Sequence, residues 1–354
     1  MTSSVRHVIG GVDTHGATHH AAALDAGTGK LLGDQQFPVT PAGYGQLAAW
    51  LRGFGQVEQV GMEGTGSYGA GLFRYLDAEG VTVIEVDRPN RRDRRRQGKS
   101  DPIDAIAAAR AVLAGVATAI PKRRTGPVEA IRILRTTRAG VVKARVAALN
   151  QISGLIFCAP EDLHATLTGL SRADLITRCA RLRVDDTAIA DPASAAKFAL
   201  RALARRVQNF DLEIDDADRQ LHILTRATAP ATSAIFGAGS DVTAQILATV
   251  GDNPDRITSE AALARLCGAA PVPASSGNTT RHRLHRGGDR QANRALWVIV
   301  LSRLRWHEPT RAYVARRTAE GKTKKEIIRC LKRAIVREVY IAIKTDFPDL
   351  TAIA

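Results

Sequence analysis

Apolar and polar positions divide the chain into three stretches of different rhythm. From residue 5 to about 114, short apolar runs alternate with turn residues. RHVIGGVD, HHAAALDA and LLGDQQFPV read as three consecutive strands, and AGTGK marks a hairpin between two of them. PAGYGQLAAWLRGFG predicts a helix, VEQVGMEG a strand, SYGAGLFRYLDAEG a helix and VTVIEVD a strand. Asp101 to Ala114 predicts a final helix, with Asp101 as its cap and Pro102 as its first residue. The order βββαβαβα implies a mixed sheet covered by helices.

From about 127 to 228 the period is helical. Val142, Val146, Leu149, Ile152 and Ile156 form one apolar stripe. Leu200, Leu203, Val207, Phe210, Ile214, Ala217, Leu221 and Leu224 form a second. The second steps by three and four throughout, the spacing of a coiled-coil seam, with Arg205, Arg206, Asp215 and Asp216 outside it. The two helices pair either within one chain or between chains. Beyond 229, SAIFGAGSDVTAQILATVGD predicts helix, turn and helix, and resembles a degenerate helix-hairpin-helix. Pro271 to Gly277 predicts a loop, and ANRALWVIVLSRLRW and KTKKEIIRCLKRAIVREVYIAI predict helices with basic faces. The expected division is 1–120, an α/β domain; 121–228, a helical coiled-coil region; and 229–354, a mostly helical domain.

Charge adds a partner class. The 354 residues carry 50 Lys and Arg against 35 Asp and Glu, a net charge of +15. An excess of this size points to a polyanion, first of all nucleic acid. Seven of the cations fall between Arg88 and Lys99, among them Arg91, Arg92, Arg94, Arg95 and Arg96. The other clusters are Lys122 to Arg124; Arg281 to Arg290, with Arg281, Arg283 and Arg286; and a tail from Arg303 to Lys344 that includes Lys324 and Lys325. Aromatic residues are too few for base-stacking on a sheet face to be expected. No apolar run is long enough to span a bilayer, and MTSSVRHVIGG lacks the layout of a secretion signal, so a cytoplasmic protein is expected. The four cysteines lie far apart, without a CxxC pair, and read as buried small residues.

Four acids suggest chemistry. Asp13 stands at the end of the first strand and Glu63 at the end of the fourth. Asp101 and Asp104 are one turn apart on the last helix, so both can face one direction. If the first and fourth strands are neighbours, all four converge. Carboxylates gathered in this way need cations between them, and hard oxygen donors suit Mg²⁺ or Mn²⁺. Two such ions about 3.5 to 4 Å apart can promote phosphodiester cleavage. The plainer reading is a helix cap and two strand-end turn residues. His15 lies near Asp13 and carries little weight on sequence alone. PVPASSGNTTRHRLHRGG reads as a surface turn, or as a serine offered to a phosphate.

GVDTH, EGTGSYGAGLFRYL, GVTVIEVD and GKSDPIDA, followed far downstream by LARLCGAAPVPASSGNTTRHRLHRGGDRQANRALW, resemble the DEDD transposases of the insertion-sequence family often called IS one-ten, which includes the Piv-type DNA invertases. The resemblance covers nearly the whole chain. It departs where many members carry a lysine after the first Asp and this chain has Gly16 following Thr14 and His15. The resemblance implies a RuvC-like ribonuclease H fold and a metal set of Asp13, Glu63, Asp101 and Asp104. It also implies a serine nucleophile, Ser276 in preference to Ser275, that becomes joined to the DNA strand. A tetrameric assembly and a structured non-coding bridge RNA are further implications. The competing expectations are a protein-only invertase or junction nuclease, and a non-catalytic DNA-binding repressor.

Overall fold

Five strands form one sheet: β1 (His7–Thr14), β2 (Thr18–Asp25), β3 (Leu31–Pro38), β4 (Gln56–Met62) and β5 (Thr82–Glu85). They are seen in a computed structural model that describes residues 5–86, 100–275 and 282–348. The spatial order is β3-β2-β1-β4-β5. β1, β2 and β3 are an antiparallel meander, and β4 and β5 run parallel to β1. The element order is the one the apolar rhythm predicts, and β1 and β4 are neighbours.

The period of two along β1 sorts its side chains between two layers. Val8 and Val12 pack with Leu47 and Leu51 of α1 (Pro41–Phe54) and Leu72, Phe73 and Leu76 of α2 (Ala70–Ala78). Ile9 faces the other way, onto Ala108, Ala109 and Val112 of α3 (Asp101–Leu113). α1 starts where Thr40 accepts a hydrogen bond from the Gly43 amide at 3.0 Å, with Pro41 in the first turn. In α3 the cap falls one residue earlier than expected. Ser100, with extended φ and ψ, is the N-cap, and Asp101 is already helical. Asp101 and Asp104 therefore both lie in the first turn, where negative charge suits the dipole.

The chain gathers into two compact units, Met1–Arg124 and Thr125–Ala354. In the second, α4 (Pro127–Phe157) and α7 (Pro192–Thr228) pair within the chain, with α5 (Glu161–Leu167) and α6 (Arg172–Ala180) between them. The predicted seam is not apolar throughout. At one end Ala148, Ile152 and Ile156 pack on Leu200, Leu203 and Val207. At the other, Val128 and Ile131 meet Leu221. Between these ends the helices are joined by ion pairs: Arg138 holds Asp218 at 2.6 and 2.9 Å, and Arg145 holds Asp211. Val146, expected in the first apolar stripe, is 48% exposed.

The remaining elements are α8 (Pro230–Ser233), α9 (Ser240–Val250), α10 (Glu260–Leu266), β6 (Pro271–Pro273), β7 (His282–Leu284), α11 (Arg290–Trp306), α12 (Glu308–Ala319) and α13 (Lys324–Asp346). α9, α10, α11 and α13 share one core built on Ile246, Val250, Leu263, Ile299, Val300 and Val336. α13 opens with a capping box in which Thr323 and Glu326 satisfy each other's backbone amides. The turn before α9 ends at Gly239, its N-cap. The first turn of α9 carries Asp241, which pairs with Arg135 at 3.2 Å, so this turn docks α9 on α4. The predicted loop from Pro271 is a strand over its first three residues. β6 pairs antiparallel with β7, Val272 opposite Arg283, and a two-stranded ribbon tolerates prolines on its edge.

The cysteines are not uniformly buried as expected. Cys179 and Cys267 are buried, Cys330 is partly covered and Cys158 is exposed; all four are free thiols. Burial pushes the Cys267 thiol up to about 12. Among the described residues no helix is long and apolar enough to cross a membrane.

Candidate active site

Two glycines set the distance between sheet and helix. A Cβ on Gly11 of β1 would collide with the Ala105 carbonyl oxygen, and one on Gly61 of β4 would stand 2.6 Å from the Ala108 carbonyl oxygen. α3 therefore lies directly on β1 and β4. Two residues after each glycine, on the same sheet face, come Asp13 and Glu63. The parallel register pairs Val12 with Met62, so the two acids leave the sheet side by side. The Glu63 amide donates to the Val12 carbonyl at 3.4 Å, and the Thr14 hydroxyl donates to the Glu63 carbonyl at 2.9 Å. Both acids are buried, with 8% and 7% exposure.

On α3, Asp104 immediately precedes Ala105, the residue that rides on Gly11, and it is 7% exposed. Asp101, one turn earlier, is half-exposed. His15 joins it to the sheet. Its Nε2 stands 3.0 Å from Asp13 Oδ2 and 3.4 Å from Asp101 Oδ1. Asp13, His15 and Asp101 each offer one donor atom within 4.8 Å of the others, a geometry that could hold a metal ion. His15 received little weight from sequence. The signal for it in the sequence is its spacing of two from Asp13, although β1 stops at Thr14 and His15 stands just past the strand end.

The loop after Glu63 is fixed by contacts that no motif in the sequence announces. Gly64 has φ +64°. The Thr65 hydroxyl donates to Glu85 Oε1 at 2.7 Å, and Arg124 donates to the Gly66 carbonyl at 2.9 Å. The fifth acid of the region, Glu85, is thereby engaged by Thr65.

In the second unit, Ser275 lies just beyond β6 and is exposed. Arg283 on β7, Arg286, and Lys324 and Lys325 at the start of α13 are exposed as well. Ser276, Arg281, Arg91, Arg92, Arg94, Arg95, Arg96 and Lys99 lie outside the described residues.

Residues 10–156 match the model of the DEDD transposases of the IS110 group, and residues 230–315 match the model described as the transposase IS116/IS110/IS902 family. The chain belongs to this transposase family. The first match spans all four acids, the second spans Ser275 and Ser276, and α13 lies beyond both. Similar curated proteins include the insertion element IS110 uncharacterized 43.6 kDa protein of Streptomyces coelicolor. It is 31% identical over 131 residues, 36% of this chain and 32% of that protein. The insertion element IS900 uncharacterized 42 kDa protein of Mycobacterium paratuberculosis is 31% identical over 134 residues, 37% of this chain and 34% of that protein. The matched stretch thus spans about a third of the length of either relative. Membership in the DEDD family is consistent with use of a divalent metal, and the Asp13–His15–Asp101 cluster is a possible site for it.

Proposed function

We propose that this transposase cleaves and rejoins DNA strands, with Asp13, Glu63, Asp101 and Asp104 holding Mg²⁺ or Mn²⁺ and Ser276 attacking the phosphate. The sheet order and the strand-end acids support a RuvC-like ribonuclease H domain. The observation that carries the reading is the convergence of Asp13 and Asp101 on one imidazole, beside two further buried acids. Buried carboxylates such as Asp13 and Asp104 are costly unless a cation is their partner. Divalent ions there would polarise the phosphate and stabilise the leaving oxygen. His15 supplies a nitrogen donor, which favours Mn²⁺ more than an all-oxygen set does.

Ser276 Oγ would form a bond to phosphorus while one P–O bond of the strand breaks. The leaving strand oxygen takes a proton, and the reverse step rejoins a strand without an external energy source. Ser275 is the alternative nucleophile. Partners in this reading are donor and target DNA, a structured non-coding guide RNA, and further copies of the chain, up to a tetramer. The basic charge and the family resemblance support the nucleic-acid partners.

The test uses supercoiled DNA carrying the element's ends, incubated with the full chain, its flanking RNA and Mg²⁺. Denaturing gels would show a protein–DNA adduct that Ser276→Ala abolishes and Asp104→Asn prevents from forming. Wild-type cleavage by Ser276→Ala together with Ser275→Ala, without adduct, would replace recombination by simple hydrolysis. Expression with the native flank, followed by sequencing of co-purified RNA, tests the guide. A discrete RNA species from the flank is expected.

A further inference from the structure

We propose that a cavity beneath the serine-loop ribbon is a channel for one strand of nucleic acid, gripped by its phosphates. The cavity lies wholly within the second unit and has a volume of about 830 Å³. The ribbon forms one wall, through Pro271 of β6 and His282 and Arg283 of β7. The facing wall is α13, where Arg329, Arg333 and Arg337 recur every four residues. That spacing puts them on one helix face at a rise of about 6 Å per step. With Lys322 and Lys332, six cations line the space.

One acid, Glu326, shares the lining. Its carboxylate accepts from the Thr323 hydroxyl at 2.7 Å and the Thr323 amide at 2.9 Å, which hold its pKa down. Glu260 pairs with Arg333, and with Arg337 at 3.5 Å. Lys332 is turned to Asn293, donating to Oδ1 at 2.7 Å and to the carbonyl at 3.2 Å. Among the described residues, Arg283 and Arg329 enter no ion pair within 4.0 Å, although both border the cavity and Arg329 stands near enough to Glu326 to help hold that carboxyl down. Like charges turned into one concavity repel unless an anion enters, and a phosphodiester backbone supplies anions at regular spacing.

Shape decides between one strand and two. Proteins that read duplex DNA push a helix or ribbon outward into a groove. Here Arg329, Arg333 and Arg337 of α13 border a concavity shared with the ribbon, not a protruding surface. A volume of about 830 Å³ is of the order of a small-ligand site, room for a few nucleotides and not for a duplex. Among the described residues no Phe, Tyr or Trp lines it, so grip through phosphates is favoured over base stacking, with little sequence preference. Ser275 directly follows the ribbon's first strand, so the channel wall and this serine belong to one short stretch of chain. The inference rests on the proposed function only in taking nucleic acid as the substrate. α13 lies outside both family matches.

The same phosphate chemistry admits a DNA or an RNA strand. Fluorescence anisotropy with the full chain in EDTA, where no cleavage occurs, would use oligothymidylate, oligouridylate and a DNA duplex across a salt series. Arg283→Ala with Arg329→Ala is expected to reduce the single-strand log–log slope by about 1.4, roughly 0.7 per lost phosphate contact, and to leave the duplex slope unchanged. Both residues are exposed, so the fold should survive; unchanged circular dichroism checks this. Arg205→Ala with Arg206→Ala, exposed on α7, is the charge-matched control. Loss with thymidylate assigns a DNA strand, and loss with uridylate an RNA strand. Equal loss on the duplex, equal loss in the control, or an unchanged slope overturns the channel. None of these outcomes depends on Ser276 or on strand cleavage.

Discussion

Gly11 and Gly61 matter because of what they lack. The helix backbone occupies the space that a side chain on either would need. Gly11→Ala should therefore lift the start of α3, at a cost of about 1 to 3 kcal/mol by overpacking. It should also displace Asp101 and Asp104 from Asp13, and a misplacement of about 1 Å can cost on the order of 10²-fold in rate. Thermal melts and strand-cleavage rates on one preparation check this; a variant as stable and as active as wild type would show that the close contact is dispensable. His19 gives a second residue-scale prediction. It is fully buried and stacked on Tyr44 at 5.9 Å. Burial foremost, then the nearby His15, lowers its pKa below 6.5. In the unfolded chain the ring protonates first as pH falls. His19 therefore leaves stability intact above about pH 6.5 and subtracts from it below, by up to about 1.4 kcal/mol per pH unit. Urea melts at pH about 7.5 and about 5.5 should show a loss at the lower pH that His19→Phe reduces. At this scale the four acids were legible from their places at strand ends and helix start. The link through His15 was not, because it depends on how closely α3 approaches the sheet.

Among elements, the apolar rhythm was a good guide where burial alone decides. β1 to β5 and α1 to α3 follow it, because each has one face on a core. It was a poorer guide along α4 and α7. Their three-four spacing predicted a continuous apolar seam, yet the middle is held by Arg138–Asp218 and Arg145–Asp211. Charged residues can enter a helix contact when their partners stand opposite, and a hydrophobicity pattern read on one helix at a time does not reveal the partner. The energetic consequence is specific. The Arg145–Asp211 pair is 27% and 46% exposed, so solvent screens it, and Arg145→Ala should cost only about 0.5 to 1 kcal/mol. Arg145→Leu combined with Asp211→Leu should restore or exceed wild-type stability by completing the seam. A double-mutant cycle by chemical denaturation measures this. A double variant less stable than both single variants would mean that the pair is worth more than the apolar contact that replaces it.

For the whole molecule, charge and chemistry are divided unequally. Residues 1–124 hold 15 of the 50 Lys and Arg and 12 of the 35 Asp and Glu, a net +3, which leaves +12 for residues 125–354. Outside residues 87–99 the first unit has 8 cations and 10 acids, a net −2. By net charge the unit with the acid cluster is expected to attract a polyanion weakly apart from one basic run, and the other unit to supply most of the attraction. Binding and cleavage should then separate cleanly. Asp13→Asn should abolish metal-dependent strand cleavage while duplex affinity and its salt slope remain unchanged, or affinity rises slightly as one repelling charge is removed. Anisotropy across a salt series, with cleavage assayed on the same preparation, tests both halves. A severalfold loss of affinity in Mg²⁺ that disappears in EDTA would mean that the acid cluster and its ion themselves grip the DNA. The division of labour between the two units would then have to be redrawn.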